Sequence, residues 1–357
     1  MKQLIYNACA ILAVCLSGCS MVEIKEDFAG EKPVALGVTN ASLVTKSIYT
    51  GTGTETSDYI LNKVAVGVTR ATNSSWYDTS LPKQLFKTEM KDGAVAWVTE
   101  GDTLYLNDTE GIVYAWAPSD KDATLANPPK LEGLTFQAAQ TCKFTENADH
   151  ATDWDTNQTD YLWSVPVTNI NKINSSANLD MRHALVKLSF RMMRAEGYSA
   201  PGERDYVKEV KLLFRADGGK SGFAASGWLD LSTGGLTASD TGRQTEITLT
   251  PSPFRQMAPY AGSPGAPDFD AVDPQAFALV APFATADKGK IDVAVKVGRQ
   301  DNTTYDRTYT TTVQTALDWT AGNHYKYTIL LNEKALTISS VTLAAWTENV
   351  KPPVEAE

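Results

Sequence analysis

The frequency of turn residues is what most limits how this chain can fold. Clusters of Gly, Asn, Asp, Ser and Pro recur so often that no stretch of about 12 residues keeps a helical stripe. Between them lie short segments rich in Val, Ile, Thr, Tyr, Phe and Trp, the residue types that suit a pleated, half-buried surface. Residues 63–69, 94–99, 112–117, 184–191, 207–215, 246–250, 277–280, 291–297, 308–313 and 325–331 are such segments. Some alternate strictly: Ile291, Val293, Val295 and Val297 are separated by Asp292, Ala294 and Lys296. Period two sends one set of side chains to a core and the other toward water. Many short strands with frequent turns predict an all-β chain folded as antiparallel β-sandwiches.

The mature chain is long enough for two cores of ordinary domain size. A faint internal echo points the same way. Trp97 precedes Gly101-Asp102 and Tyr105, and Trp319 precedes Gly322-Asn323 and Tyr325. The polar, Asn- and Ser-rich run 168–178 reads as a linker, which predicts one sandwich over 34–178 and a second over 179–357. Asp217-Gly218-Gly219 has hairpin-turn chemistry and is expected to pair 210–214 with 223–231.

At the N-terminus, Lys2 is followed by an apolar run over 4–16 and then by small residues, the order of an export signal. The run is too short to span a bilayer, which takes about 20 residues. Leu16-Ser17-Gly18-Cys19 has the form of a lipobox, so 1–18 are read as a cleaved signal and Cys19 as the lipidated first residue. Several acyl chains at about 0.8 kcal/mol per buried methylene hold a protein firmly at a membrane. Residues 19–33 read as a polar tether. Cys9 and Cys15 leave with the signal, so Cys142 stands alone and no internal disulfide is expected. The net charge of −10, with no basic block, argues against nucleic acid or an anionic membrane surface as partner.

Motifs for chemistry are weak. Asp153-Trp154-Asp155-Thr156-Asn157 opens like a calcium loop, but Gln158 replaces the glycine and Ser164 the glutamate that the geometry requires, so a solvated loop is expected. Gly219-Lys220-Ser221 lacks the first glycine of a phosphate loop, because Phe214 stands there. His150, His183 and His324 are not in ligand-spaced pairs, and Cys142 has no nucleophile signature. No catalytic site, cofactor or metal is expected. Trp76-Tyr77, Trp154 and Trp163 lie in or near polar runs and are candidates for stacking on sugars, the alternative reading being a glycan-binding surface lipoprotein.

Four segments carry a resemblance: Ile112-Val113-Tyr114-Ala115-Trp116-Ala117-Pro118, Met181-Arg182-His183-Ala184-Leu185-Val186-Lys187-Leu188, Trp319-Thr320-Ala321-Gly322-Asn323-His324-Tyr325-Lys326-Tyr327 and Val341-Thr342-Leu343-Ala344-Ala345-Trp346. With the lipobox, their order resembles the fimbrillin family, the type V pilin-like lipoproteins of Bacteroidales. The resemblance implies two tandem transthyretin-like sandwiches and a fimbrial subunit or adhesin at the outer membrane and cell surface. Its partners would be other fimbrial subunits and a host or bacterial surface receptor. Lys25-Glu26-Asp27 is similar to a surface-export signal of such lipoproteins. In the family a trypsin-like protease cuts near the first strand, and a neighbouring subunit fills the groove with a strand of its own. Lys46-Ser47 occupies the corresponding place, with lysine where the best-known members have arginine; an ordinary exposed lysine is the other reading.

The C-terminal residues Leu336, Ile338, Val341, Leu343 and Trp346 could form the donated strand or simply the last strand of the second sandwich. Their alternation slips between Ile338 and Val341, so one face takes them all only through a bulge. Pro352-Pro353 ends any ladder beyond them.

Overall fold

The computed structural model describes residues 33–43, 61–91, 94–146, 152–198, 205–215, 222–270, 272–285, 290–314, 317–332 and 335–346. Cys19, Lys46, Ser47, His150, the 217–221 run and the tether before residue 33 lie outside them. Among the described residues every regular element is a strand. In chain order these are β1 (Val34–Ala35), β2 (Gly37–Leu43), β3 (Lys63–Arg70), β4 (Gln84–Lys91), β5 (Ala94–Glu100), β6 (Tyr105–Leu106), β7 (Gly111–Ala117), β8 (Ala123–Thr124), β9 (Lys130–Thr135) and β10 (Ala139–Glu146). Next come β11 (Thr152–Thr156), β12 (Leu162–Ser164), β13 (Val167–Ile170), β14 (Ser176–His183), β15 (Val186–Arg194), β16 (Tyr206–Phe214), β17 (Ser226–Asp230), β18 (Leu236–Ala238) and β19 (Glu246–Ser252). The chain ends with β20 (Arg255–Gln256), β21 (Gly262–Ser263), β22 (Ala266–Pro267), β23 (Ala276–Val280), β24 (Phe283–Thr285), β25 (Ile291–Gly298), β26 (Arg307–Thr312), β27 (Leu317–Trp319), β28 (Asn323–Leu331) and β29 (Leu336–Ala345).

Three sheets carry the architecture. An eight-stranded sheet has the order β2-β14-β12-β7-β3-β4-β5, with β13 also on β7. A seven-stranded sheet runs β11-β10-β19-β16-β25-β26, with β20 on β16, and a four-stranded sheet runs β23-β15-β28-β29. The last two pack face to face. Cys142 on β10 reaches the Phe277 carbonyl of β23 at 3.0 Å, and the Phe144 and Phe277 rings meet edge to face.

Alternation on the eight-stranded sheet serves two cores at once. On β7, Val113, Ala115 and Ala117 enter a smaller core, while Tyr114 and Trp116 point into the larger one. On β3, Val64, Val66 and Val68 face the smaller core and Ala65 the larger. A strand buried on both faces reads as a nearly continuous apolar run, which is why 63–69 and 112–117 look so uniform in sequence.

Long-range pairing departs from several sequence expectations. β16 and β17, expected as a hairpin, lie in different sheets: β16 pairs with β19, β20 and β25, and β17 with β9 and β18. Turn chemistry fixes a reversal but does not choose the partner strand. The run 168–178, expected as a linker, forms most of β13 and the start of β14. The boundary expected at 179 therefore falls inside β14, a strand of the eight-stranded sheet. Residues 123–146, expected in the first unit, supply β8 and β9 to β17 and lay β10 parallel to β19. Asp153 to Thr156 belong to β11 instead of a solvated loop, with Asp155 opposite Lys143.

Candidate assembly site

The segment 34–43 closes the smaller core. Leu36, Val38 and Ala41 are buried in it, against side chains that include Val64, Phe86, Leu106 and Leu179. Its backbone is held on both sides. β1 pairs with β6, and the Leu36 amide donates to the Leu104 carbonyl at 2.9 Å. On the other side β2 lies parallel to β14, from Gly37 opposite Ser176 to Leu43 opposite Met181. The register shifts between Val38 and Asn40, leaving Thr39 as the extra residue of a bulge. Without this segment β14 would present a row of unpaired donors and acceptors above an apolar trough, which is a template for another strand. Lys46 follows β2 by three residues.

At the other end of the chain, β29 is the outer strand of the four-stranded sheet and lies antiparallel to β28. The expected bulge is present. The register shifts between Ile338 and Ser340, with Ser339 extra. Leu336 is buried, Ile338 and Val341 are half-buried, and Leu343 is 64% exposed. Trp346 is fully buried and stacks on His183 at the end of β14, with ring centroids 3.8 Å apart and planes 6° from parallel. His183 Nδ1 lies 2.7 Å from Asp160 Oδ2, and burial raises the Asp160 carboxyl above its usual range.

The remaining candidate residues are placed as follows. Trp76, Tyr77 and Trp163 are all buried, so none offers an open face to a sugar. Trp163 is covered by Gly234, where a Cβ would come within 2.0 Å of the indole; that glycine also has a φ of +71°. Tyr77 spends its hydroxyl on Asn107 and Thr109. Trp154 takes its place in β11, opposite Phe144. His324 is buried with Nε2 2.8 Å from Ser189 Oγ, and burial, then Lys187, Lys326 and Arg191, hold it down to about 2. Burial pushes the Cys142 thiol up to about 12, so it is an inert core thiol. Sequence reasoning missed Asp160 and the closing residues Leu36, Val38 and Ala41. The spacing of the last three, two then three residues, was the available signal.

The sequence pattern of the Fimbrillin-like family matches residues 47–346. The chain belongs to the fimbrillin-like family. The matched span begins one residue after Lys46, beyond the closing segment, and ends on Trp346. In structure this fimbrillin-like chain is similar to a candidate cell adhesion protein of Bacteroides uniformis, at 15% identity and a TM-score of 0.52, covering 88% of this chain and 99% of the other. It is also similar to a fimbrial protein of Bacteroides vulgatus, at 12% identity and a TM-score of 0.51, covering 89% and 100%. These similarities show a shared β-sandwich fold. No curated protein matches the fimbrillin-like chain in sequence. Membership in the family implies a cell-surface location and a place among fimbrial and adhesion proteins.

Proposed function

We propose that this chain is a non-catalytic fimbrial subunit or adhesin, exported as an outer-membrane lipoprotein through Cys19 and assembled by strand donation between subunits. The observation that carries the reading is the closing segment: residues 34–43 seal an apolar core through one parallel ladder and one short antiparallel contact, and the basic Lys46 follows directly. Cleavage after Lys46 would detach the segment from residue 47 onward, the span that matches the family. Refilling the trough is worth about 1.5–3 kcal/mol for each Leu or Val fully buried, enough in sum to hold a donated strand. The segment from Leu336 to Trp346 is the proposed donor. Fimbrial subunits are then the partners, with a surface receptor for an adhesin.

Treating the purified mature protein with trypsin tests this. The expected result is a chain beginning at Ser47 and a ladder of detergent-resistant oligomers, both lost in Lys46→Ala. Monomer under every condition would rule out a shaft role. N-terminal sequencing of protein taken from the cell surface separates the forms: a lipid-blocked Cys19 start marks an anchored subunit, and a Ser47 start a processed one.

A further inference from the structure

Where β20, the turn after β25 and the loop before β23 meet, the surface folds into a cleft of about 460 Å³, lined by residues that include Phe254, Arg255, Gln256, Asp273, Gln275 and Gln300. None of its lining residues belongs to the closing segment or to β29. Small-ligand sites span about 300–1,000 Å³, so the size is that of a binding site. The cleft is also shaped in advance. Gln275, only 3% exposed, accepts from the Met192 amide at 2.5 Å and donates to the Asp273 carbonyl at 2.7 Å and the Gln256 carbonyl at 3.4 Å. One buried side chain thus ties two walls of the cleft to β15, and a ligand does not have to order them. Arg255 is held as well, its guanidinium lying over the Phe144 ring at 4.9 Å from the centroid.

We infer that this cleft binds a neutral glycan, seating one sugar ring against Phe254 with a ring hydroxyl shared between Arg255 and Asp273. The inference rests on the adhesin reading of the chain, whose receptor it assigns to a chemical class, and it does not need strand donation.

Charge selects the class. Arg255 and Asp273 are the ionisable residues of the lining, and their signs oppose. A phosphate or carboxylate would meet Asp273 and an ammonium would meet Arg255, whereas a neutral molecule meets neither repulsion. Arg255 Nη2 stands 4.0 Å from Asp273 Oδ2, beyond hydrogen-bond reach. One hydroxyl oxygen can lie about 2.9 Å from both, accepting from the guanidinium and donating to the carboxylate. The Asp273 side chain is 65% exposed and therefore open to such a group. The exposed amides of Gln256 and Gln300 each carry a donor and an acceptor, which suits further hydroxyls. Phe254 is half-buried, with Lys208 Nζ 5.5 Å from its ring centroid, and Asp306 answers that lysine's charge at 2.8 Å. An aromatic ring among groups that both donate and accept matches a sugar, which is apolar on its C–H faces and polar at its edge.

The test places purified, unprocessed mature protein on an array of neutral oligosaccharides ending in hexose, N-acetylhexosamine or deoxyhexose, with sialylated and sulfated ones alongside. Asp273→Asn removes the accepting charge from an exposed side chain, and Gln300→Ala removes an exposed amide. The expected result is binding to a subset of the neutral glycans, weakened about tenfold by Asp273→Asn and less by Gln300→Ala, with the urea midpoints of both variants unchanged. Binding to no glycan overturns the inference. Binding that neither substitution weakens puts the sugar elsewhere and overturns the site. A preference for acidic glycans that Asp273→Asn strengthens overturns the neutral class. Since the array reads unprocessed protein, a missing oligomer ladder after trypsin counts against strand donation alone.

Discussion

The two cores of this molecule are closed in different ways. The smaller core holds apolar side chains on the eight-stranded sheet and is sealed by residues 34–43; among its polar neighbours Gln84 is fully engaged, accepting from the Leu104 amide and donating to Thr99 Oγ1. The larger core lies beside buried ionisable groups: Asp160 with His183, His324 with Ser189, and Lys187 with no exposed surface. Apolar burial is non-directional, so one apolar strand can substitute for another over the smaller core. Buried charges and hydrogen bonds demand particular partners, so the place left in the larger core by the proposed donor 336–346, with Trp346 stacked on His183, is harder to refill. The part of the molecule proposed to open is the part whose chemistry permits refilling.

The largest expected break in this contrast is Asp160→Ala. Removing the carboxylate from a fully buried pair should cost about 3–5 kcal/mol, read as a fall in the urea midpoint. Leu36→Ala should cost the intact protein about 2–5 kcal/mol, yet leave the trypsin-processed protein unchanged, because the residue departs with the closing segment. Equal effects on both forms would show that the segment stays in place.

Acid sharpens the contrast further. His324 titrates near 6.5 in the unfolded chain and is held down to about 2 in the fold, with Lys187, Lys326 and Arg191 facing it. Its contribution is therefore complete above pH 6.5 and is lost as the pH falls toward 2. Stability should drop by about 1.4 kcal/mol per pH unit below 6.5 from this group, and His324→Gln should flatten that slope in urea titrations. The smallest effect on folding belongs to Leu343→Lys. At 64% exposure the change should stay within about 0.5 kcal/mol in stability while reducing the yield of oligomers.

Local features were legible in the sequence and distant pairings were not. The alternation of Ile291 to Val297 gave β25, and the slip between Ile338 and Val341 gave the bulge at Ser339. Each depends only on neighbours along the chain. The parallel ladders β2–β14, β10–β19 and β15–β28 join segments with no local mark of one another, so the hairpin at 217–219 and the boundary at 179 were drawn from turn chemistry and polarity alone. Trp76 and Trp163 misled for a related reason. Polar residues flank them in sequence, but each ring lies against a glycine outside that flank, Gly67 for Trp76 and Gly234 for Trp163. At the candidate site the two-then-three spacing of Leu36, Val38 and Ala41 was readable, but its meaning required the parallel ladder to β14 and the bulge at Thr39.

The parallel ladder between β2 and β14 also sets an order of events. A chain that emerges N-terminus first releases residues 37–43 long before 176–181, about 140 residues later, and such distant pairings form slowly. β2 therefore waits for its ladder partner while about 140 of the 357 residues emerge. Until β14 arrives, the backbone donors and acceptors of β2 are open to the wrong neighbour.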